Sequence, residues 1–406
     1  MPSSNEALST IQKPPILVNT SIALARLVER LQRSPRVAVD TESNSLFAYR
    51  ERVCLIQFSI AEDDFLVDPW AIDDLDPLAP IFAAPQTEKV FHAAENDLAV
   101  LRRDFGFSCQ NLFDTMWAGR ILGWSAVGLG KIMEQYFGVP PNKKYQRYNW
   151  GQRPLEPDAV AYARTDTHYL LALRDLQAAK LHAEERWEEA QEIFAYLSQH
   201  VTQPVETNSA TTFWRIKGLH DLSPGEKKRL YQLHLWREHT SERLDRPPVK
   251  VVGDAQLVHL AQAQPHTQEE LGTAGLSPVQ LRRFGREILS VLNSKVDNLP
   301  HQPSDDGRPP DEVLERYQIL RNWRKEVAHC RGVESDVILP NAALWALAWN
   351  PPQQPEDLLR VPGIGPWRQK TYGADLLGIL RGATNISPCK GQINSDREQL
   401  KKGETP

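Results

Sequence analysis

Nowhere in this 406-residue chain do about 18 apolar residues follow one another, so no membrane-spanning helix is expected. Cysteine is scarce. The four present, Cys54, Cys109, Cys330 and Cys389, are far apart and lack the close pairing of a zinc site. The first residues, Met1 to Gln12, lack the basic-then-apolar layout of a secretory leader. Together these absences predict a reduced, cytoplasmic protein that does not enter a membrane. Positive charge is also missing: the net charge is −5, which does not mark a nucleic-acid binder. The deficit is uneven. Residues 1–218 hold 22 basic against 28 acidic side chains, and residues 219–295 hold 11 against 9. What remains is an ordinary globular composition, 41% hydrophobic and 24% charged, with length for several domains.

Residues 1–16 are Ser-, Pro- and polar-rich and are expected to be disordered. Apolar spacing predicts a helix over 21–33. Runs rich in Val, Ile, Leu and Phe predict strands at 36–41, 53–60, 64–68 and 89–93. Helices are expected over 95–105, to about 123 after a short strand or turn at 111–114, and over 129–137. One long helix is expected over 156–182 and another over 184–200. Strands first and covering helices after them predict an α/β domain over 17–200. A linker rich in Thr, Asn, Ser and Pro follows at 201–212.

Four carboxylates and a tyrosine stand out. Val37-Ala38-Val39-Asp40-Thr41-Glu42 reads as a buried strand ending in acid. Side chains two apart on a strand share a face, so Asp40 and Glu42 stand roughly 6–7 Å apart at the backbone. Asp97 opens a helix just after the apolar strand Val90-Phe91-His92. Tyr162 and Asp166, four apart on a helix, share one helical face. Four ionised carboxylates meeting at one point repel, and a bound divalent cation is the usual remedy. All-oxygen ligation suits magnesium or manganese. Two such ions about 4 Å apart clamp the attacking and leaving oxygens of a phosphodiester.

Just before the tyrosine lies a segment in which basic and aromatic residues alternate: Lys143, Lys144, Tyr145, Arg147, Trp150 and Arg153. Cations match phosphates and flat rings stack bases, so this loop is a candidate substrate contact. Gln57, inside the apolar strand 53–58, is expected to be a hydrogen-bonded core residue without a catalytic role. His92 is expected to pack beside the site. His168 falls on a different helical face from Asp166.

The second half is helical and repeats. Trp236-Arg237 recurs as Trp323-Arg324, and Leu260-Ala261 as Leu347-Ala348. Pro265 matches Pro352 and Leu271 matches Leu358, all at an offset of 87. A Pro-, Asp- and Gly-containing linker at 301–310 separates the copies. The second copy carries Val361-Pro362-Gly363-Ile364-Gly365-Pro366-Trp367. Backbone amides at Gly363 and Gly365, before a helix, could meet a phosphate. The first copy has Arg282, Arg283 and Arg286 on one helix, a candidate electropositive face. The tail, 388–406, is polar and is expected to be disordered.

These motifs resemble the DEDD superfamily of 3′-to-5′ exonucleases, in the subgroup with tyrosine in its third motif. Within it, Asn149-Trp150-Gly151-Gln152-Arg153-Pro154-Leu155 and Phe91-His92-Ala93-Ala94 are similar to segments of the ribonuclease D family. Asn149 stands where aspartate is more usual. Each helical copy resembles the HRDC domain, a small nucleic-acid-binding module. The resemblance implies a ribonuclease H-like mixed sheet followed by two HRDC-like domains, at 213–296 and 310–382. It makes Asp40, Glu42, Asp97 and Asp166 the metal site and Tyr162 the residue that orients the attacking water. It implies a metal-dependent 3′-to-5′ exoribonuclease that releases 5′-mononucleotides, acts on transfer RNA precursors and other structured small RNAs, and works as a monomer. A DNA exonuclease in repair and a non-catalytic RNA-binding protein are the alternatives.

Overall fold

A computed structural model describes residues 13–201, 209–294, 298–302 and 309–382. Residues 1–12, most of the two linkers, and the tail at 388–406 lie outside the described residues. The first unit contains β1 (Ile16–Val18), α1 (Ser21–Arg33), β2 (Arg36–Ser43), β3 (Val53–Ser59), β4 (Asp64–Val67) and β5 (Glu88–Phe91). It continues through α2 (Glu95–Phe105), β6 (Leu112–Asp114), α3 (Thr115–Ile121), α4 (Leu129–Phe137), α5 (Pro157–His168), α6 (Leu170–Ala183) and α7 (Trp187–Gln199).

The strands form one sheet in the order β1-β4-β3-β2-β5-β6. β3 runs antiparallel to β2 and β4, and the other neighbours are parallel. This is the expected mixed sheet with flanking helices. β2 and β3 are its centre, and β3 is buried along its whole length. One face meets α1 through Leu24, Leu27 and Leu31. The other carries α5, which lies across β2, β3 and β4.

Two local expectations are corrected. The disordered stretch expected over 1–16 overruns by one residue: Ile16 opens β1, an edge strand of three residues, too short and too exposed to show a period. The single helix over 156–182 is two, α5 and α6, joined at the buried Tyr169. α5 follows β2 to β4, whereas α6 packs on β2, β5 and α3. The chain must therefore change direction between them, which periodicity alone does not reveal.

The helical half repeats as its sequence does. The first copy holds α8 (Pro224–Leu244), a short helix Pro248–Val251, α9 (Asp254–Ala263), a short helix Gln268–Thr273 and α10 (Pro278–Asn293). The second holds α11 (Asp311–Arg331), a short helix Ser335–Ile338, α12 (Asn341–Trp349), a 3-10 turn Pro355–Arg360 and α13 (Pro366–Leu380). Hydrogen bonds recur at the offset. Arg229 Nε donates to the Ala261 carbonyl, as Arg316 Nε does to Ala348. Arg237 Nη1 donates to Val252, as Arg324 Nη1 does to Leu339. Each copy has its own apolar core.

The two copies meet the α/β unit differently. The first touches the loop between β2 and β3, where the Tyr49 amide donates to Asp245 at 3.0 Å and Arg50 pairs with Glu242 at 3.1 Å in exposed contacts. The second is bolted to α7. Arg331 clamps the fully buried Glu189 carboxylate at 2.6 and 2.8 Å, and Val337 joins the main core of the α/β unit. Cys54 and Cys109 are buried free thiols, and Cys330 is disulfide-bonded, whereas the sequence predicts four reduced cysteines.

Candidate active site

β2 carries the first two acids. Asp40 and Glu42 alternate onto the face that α5 covers, opposite Gln57 and Leu55 of β3. Pro157 starts α5, where its missing N–H costs nothing. One turn apart on that helix, Tyr162 and Asp166 come down over the acids. Ligand atoms of Asp40, Glu42 and Asp166 lie within 4.8 Å of one another. The Tyr162 hydroxyl is hydrogen-bonded to Asp166.

Asp97 does not join that trio. It is buried in the first turn of α2 and accepts a hydrogen bond of 2.5 Å from the Thr41 hydroxyl. Its electrostatic link is to Asp40. Burial first, and then the Asp40 charge, raise the Asp97 carboxyl well above the usual range. Burial also pushes Asp40 up to about 7. Glu42 is raised by burial, then by Asp40, Asp166 and Asp97; Asp166 is raised by burial, then by Asp40. Among the described residues no lysine or arginine forms a salt bridge with any of the four. Concentrated, unpaired carboxylate oxygens form the donor set that a hard divalent cation relieves. Burial, with Asp166 and Glu42 next, raises the Tyr162 hydroxyl, so it remains a proton donor at neutral pH.

The helix is held in register from its other side. Asp64, on the same sheet face, accepts from Arg164 Nε at 2.5 Å and Ser59 Oγ at 2.7 Å, and lies 2.9 Å from His168 Nδ1. His168 thus sits on a different face from the acids, as its spacing implies. His92 lines the cavity, and burial lowers its pKa to about 4. Its ring lies against the Thr115 hydroxyl at 2.9 Å, so it stands beside the acids as an uncharged neighbour. Two site-building residues escape the sequence reading. Thr41 holds Asp97. Asp114 caps α3 and also accepts from the Ala93 and Ala94 amides at 3.1 and 2.7 Å, which fixes the turn leading into α2. An acid just before a helix signals the cap; nothing local signals the second task.

The acids open into a cavity of about 870 Å³ whose lining includes Lys143 and Lys144. Arg147 is exposed and is not part of that lining. The aromatic part of the substrate expectation is corrected. Tyr145 and Trp150 are buried, with ring centroids 5.5 and 6.2 Å from that of Tyr162, so they pack against the tyrosine; Tyr145 also lines the cavity and Trp150 does not stand out to stack a base. Arg153 is occupied too: it pairs with Asp68 at 2.6 Å and donates to the Cys54 and Trp150 carbonyls. The glycine turn is likewise corrected. Glu192 of α7 accepts from the amides of Gly365, Trp367 and Arg368 at 3.0, 2.7 and 3.3 Å, the position a phosphate would need. A Cβ at Gly363 would come within 2.4 Å of Pro340, and one at Gly365 within 2.5 Å of Glu192, so both glycines serve close packing.

Comparison with known proteins agrees with this geometry. Residues 15–181 match a 3′-5′ exonuclease family, and residues 226–292 and 313–380 each match the HRDC domain. Ribonuclease D of Haemophilus influenzae is 31% identical over 297 residues, covering 71% of this chain and 74% of that one. The chain belongs to the ribonuclease D family. Ribonuclease D of Acidiphilium cryptum is 29% identical over 91% of this chain and 93% of its own. The crystal structure of Escherichia coli RNase D superposes with a TM-score of 0.64 at 24% identity, covering 91% of this chain and 99% of that one, and shows the shared fold. This ribonuclease D family member is a 3′-to-5′ exoribonuclease, a hydrolase acting on RNA. Its acidic cluster is consistent with the divalent-metal chemistry of such exonucleases.

Proposed function

We propose that Asp40, Glu42 and Asp166 hold one divalent ion and that Asp40, with Asp97 beside it, serves a second, magnesium or manganese in each case. The observation that carries this reading is the approach of three carboxylates to within 4.8 Å of one another without a cationic side chain between them. Bound there, the ions would supply an activated water and charge stabilisation for the leaving 3′ oxygen. The protein's own groups do the rest. Tyr162, a persistent donor anchored by Asp166, orients the attacking water at the terminal phosphodiester. Lys143 and Lys144, which line the same cavity, hold backbone phosphates, with the exposed Arg147 beside them in sequence. The products are 5′-mononucleotides.

The chain works as three units, 17–200, 213–296 and 310–382, in a cytoplasmic monomer. RNAs with structured bodies and trimmed 3′ ends, transfer RNA precursors among them, are the substrates in this reading. The Escherichia coli relative, described as an exoribonuclease involved in structured RNA processing, supports the choice. The testing experiment follows 5′-labelled RNA with and without chelator. Shortening should require Mg²⁺ or Mn²⁺, and Asp40→Asn should lower the rate more than about 10³-fold. An Asp40→Asn protein that trims at nearly the wild-type rate would remove the metal assignment.

A further inference from the structure

β3 is the most buried strand of the sheet, yet two of its seven side chains are polar. Ser59 has a full set of partners in Asp64 and Thr167. Gln57 does not. It is completely buried, and its Oε1 has no hydrogen-bond partner. Its Nε2 lies 3.5 Å from Asp40 Oδ2. The register sets Gln57 directly between Asp40 on β2 and Leu66 on β4, so amide and carboxylate stand side by side on the face beneath α5.

An unpartnered amide oxygen inside a core costs the fold free energy. Methionine has nearly the same volume and would fill the place without that cost. The fold therefore carries a destabilising group whose recorded side-chain contact is one carboxylate of the active site. A separation of 3.5 Å is at the long end for such a bond. It steers the carboxylate without neutralising it, which leaves the oxygens available to a cation. We infer that Gln57 is a positioning residue: its amide fixes the orientation of the Asp40 carboxylate and so prepares it for metal. The inference rests on the proposed metal role of Asp40. It follows the general rule that groups behind metal ligands hold them in place, and that removing one weakens metal affinity or activity about 10–100-fold.

The distinctive consequence is one of sign. If Gln57 were only a core residue, replacing it would alter stability and nothing else. If it positions Asp40, Gln57→Met should weaken metal binding while the metal-free protein stays as stable or gains. The experiment titrates Mn²⁺ into the RNA-free full chain by calorimetry, for wild type, Gln57→Met, Gln57→Asn and Asp40→Asn. Melting in chelator and the kinetics of RNA trimming accompany it. Gln57→Met is expected to bind Mn²⁺ about 10–100-fold more weakly, with kcat reduced, KM for RNA unchanged and a melting midpoint no lower than wild type. Gln57→Asn keeps an amide but withdraws it by one methylene, and should weaken Mn²⁺ binding in the same direction; it decides the matter if the methionine variant does not fold. Wild-type Mn²⁺ affinity in the folded variants, whatever their melting points, overturns the inference. If Asp40→Asn loses Mn²⁺ binding in that case, the ligand assignment stands without Gln57. If Asp40→Asn also binds normally, the ligand assignment and the inference fall together.

Discussion

Asp40 shows how burial and charge set the behaviour of individual side chains here. An aspartate in an unfolded chain titrates near about 3.9, and burial raises Asp40 to about 7 in the fold. The folded, ion-free protein therefore keeps a proton that the unfolded chain releases. Its stabilising contribution is complete below about pH 4 and is lost as pH rises through the folded value. Glu42, Asp97 and Asp166 are raised as well and act in the same direction. In chelator, the melting point should fall between pH 5 and pH 8, and Mn²⁺ should restore more at pH 8 than at pH 5. Differential scanning fluorimetry would show this, and a melting point that climbs with pH in chelator would contradict it. Tyr162 gives a second test at this scale. Tyr162→Phe should lower single-turnover trimming while RNA affinity, measured separately, stays near wild type. The short acidic motifs made Asp40, Glu42, Tyr162 and Asp166 legible in sequence, because strand and helix periods bring each pair onto one face, while Asp97 depended on the order of the motifs and the family resemblance. Thr41, Gln57 and Asp114 were not legible in that way. Their tasks depend on which strand lies opposite or which turn lies nearby, and those are facts of register and tertiary structure.

Among the elements, helix ends were readable where caps and apolar spacing agree. The bounds of α1, α2 and α4 coincide with their sequence signals. The reading failed where a tertiary partner decides the outcome, as at Tyr169 between α5 and α6. It failed more instructively at the start of α13, where a glycine turn shaped to receive an anion already holds a carboxylate from α7. Glu192 there satisfies three amides at a helix N-terminus and also lies 3.6 Å from Arg368. Glu192→Ala should cost about 1–3 kcal/mol of stability, the price of leaving those donors unmet. Its signature is a lower melting point with little change in kcat on a short single-stranded RNA. A variant that melts like wild type would mean that the turn needs no anion.

For the whole molecule, the offset of 87 was the most informative long-range feature of the sequence, and it survives as repeated helices and repeated arginine-to-carbonyl bonds. What it could not convey is that the copies are unequal. The second buries Glu189 and contributes Val337 to the core of the α/β unit. A chain ending near Thr212 should therefore melt lower than the full chain, by about 2–4 °C for each kcal/mol of packing lost from a unit of this size. If it still melts cooperatively, it should trim short single-stranded RNA yet handle a folded RNA with a 3′ overhang less well, with the difference depending on salt. A truncation that processes the folded RNA as efficiently as the full chain would free both modules of any role in holding substrate. The docking of α13 onto Glu192 also has a bearing on how freely each copy can accept substitutions. A change in the turn at 361–367 must answer to a partner in another part of the protein, whereas the Ser277 amide of the first copy's turn donates to Gln280 of its own helix. A substitution in the turn at 361–367 is thus constrained from two sides, by its own helix and by α7.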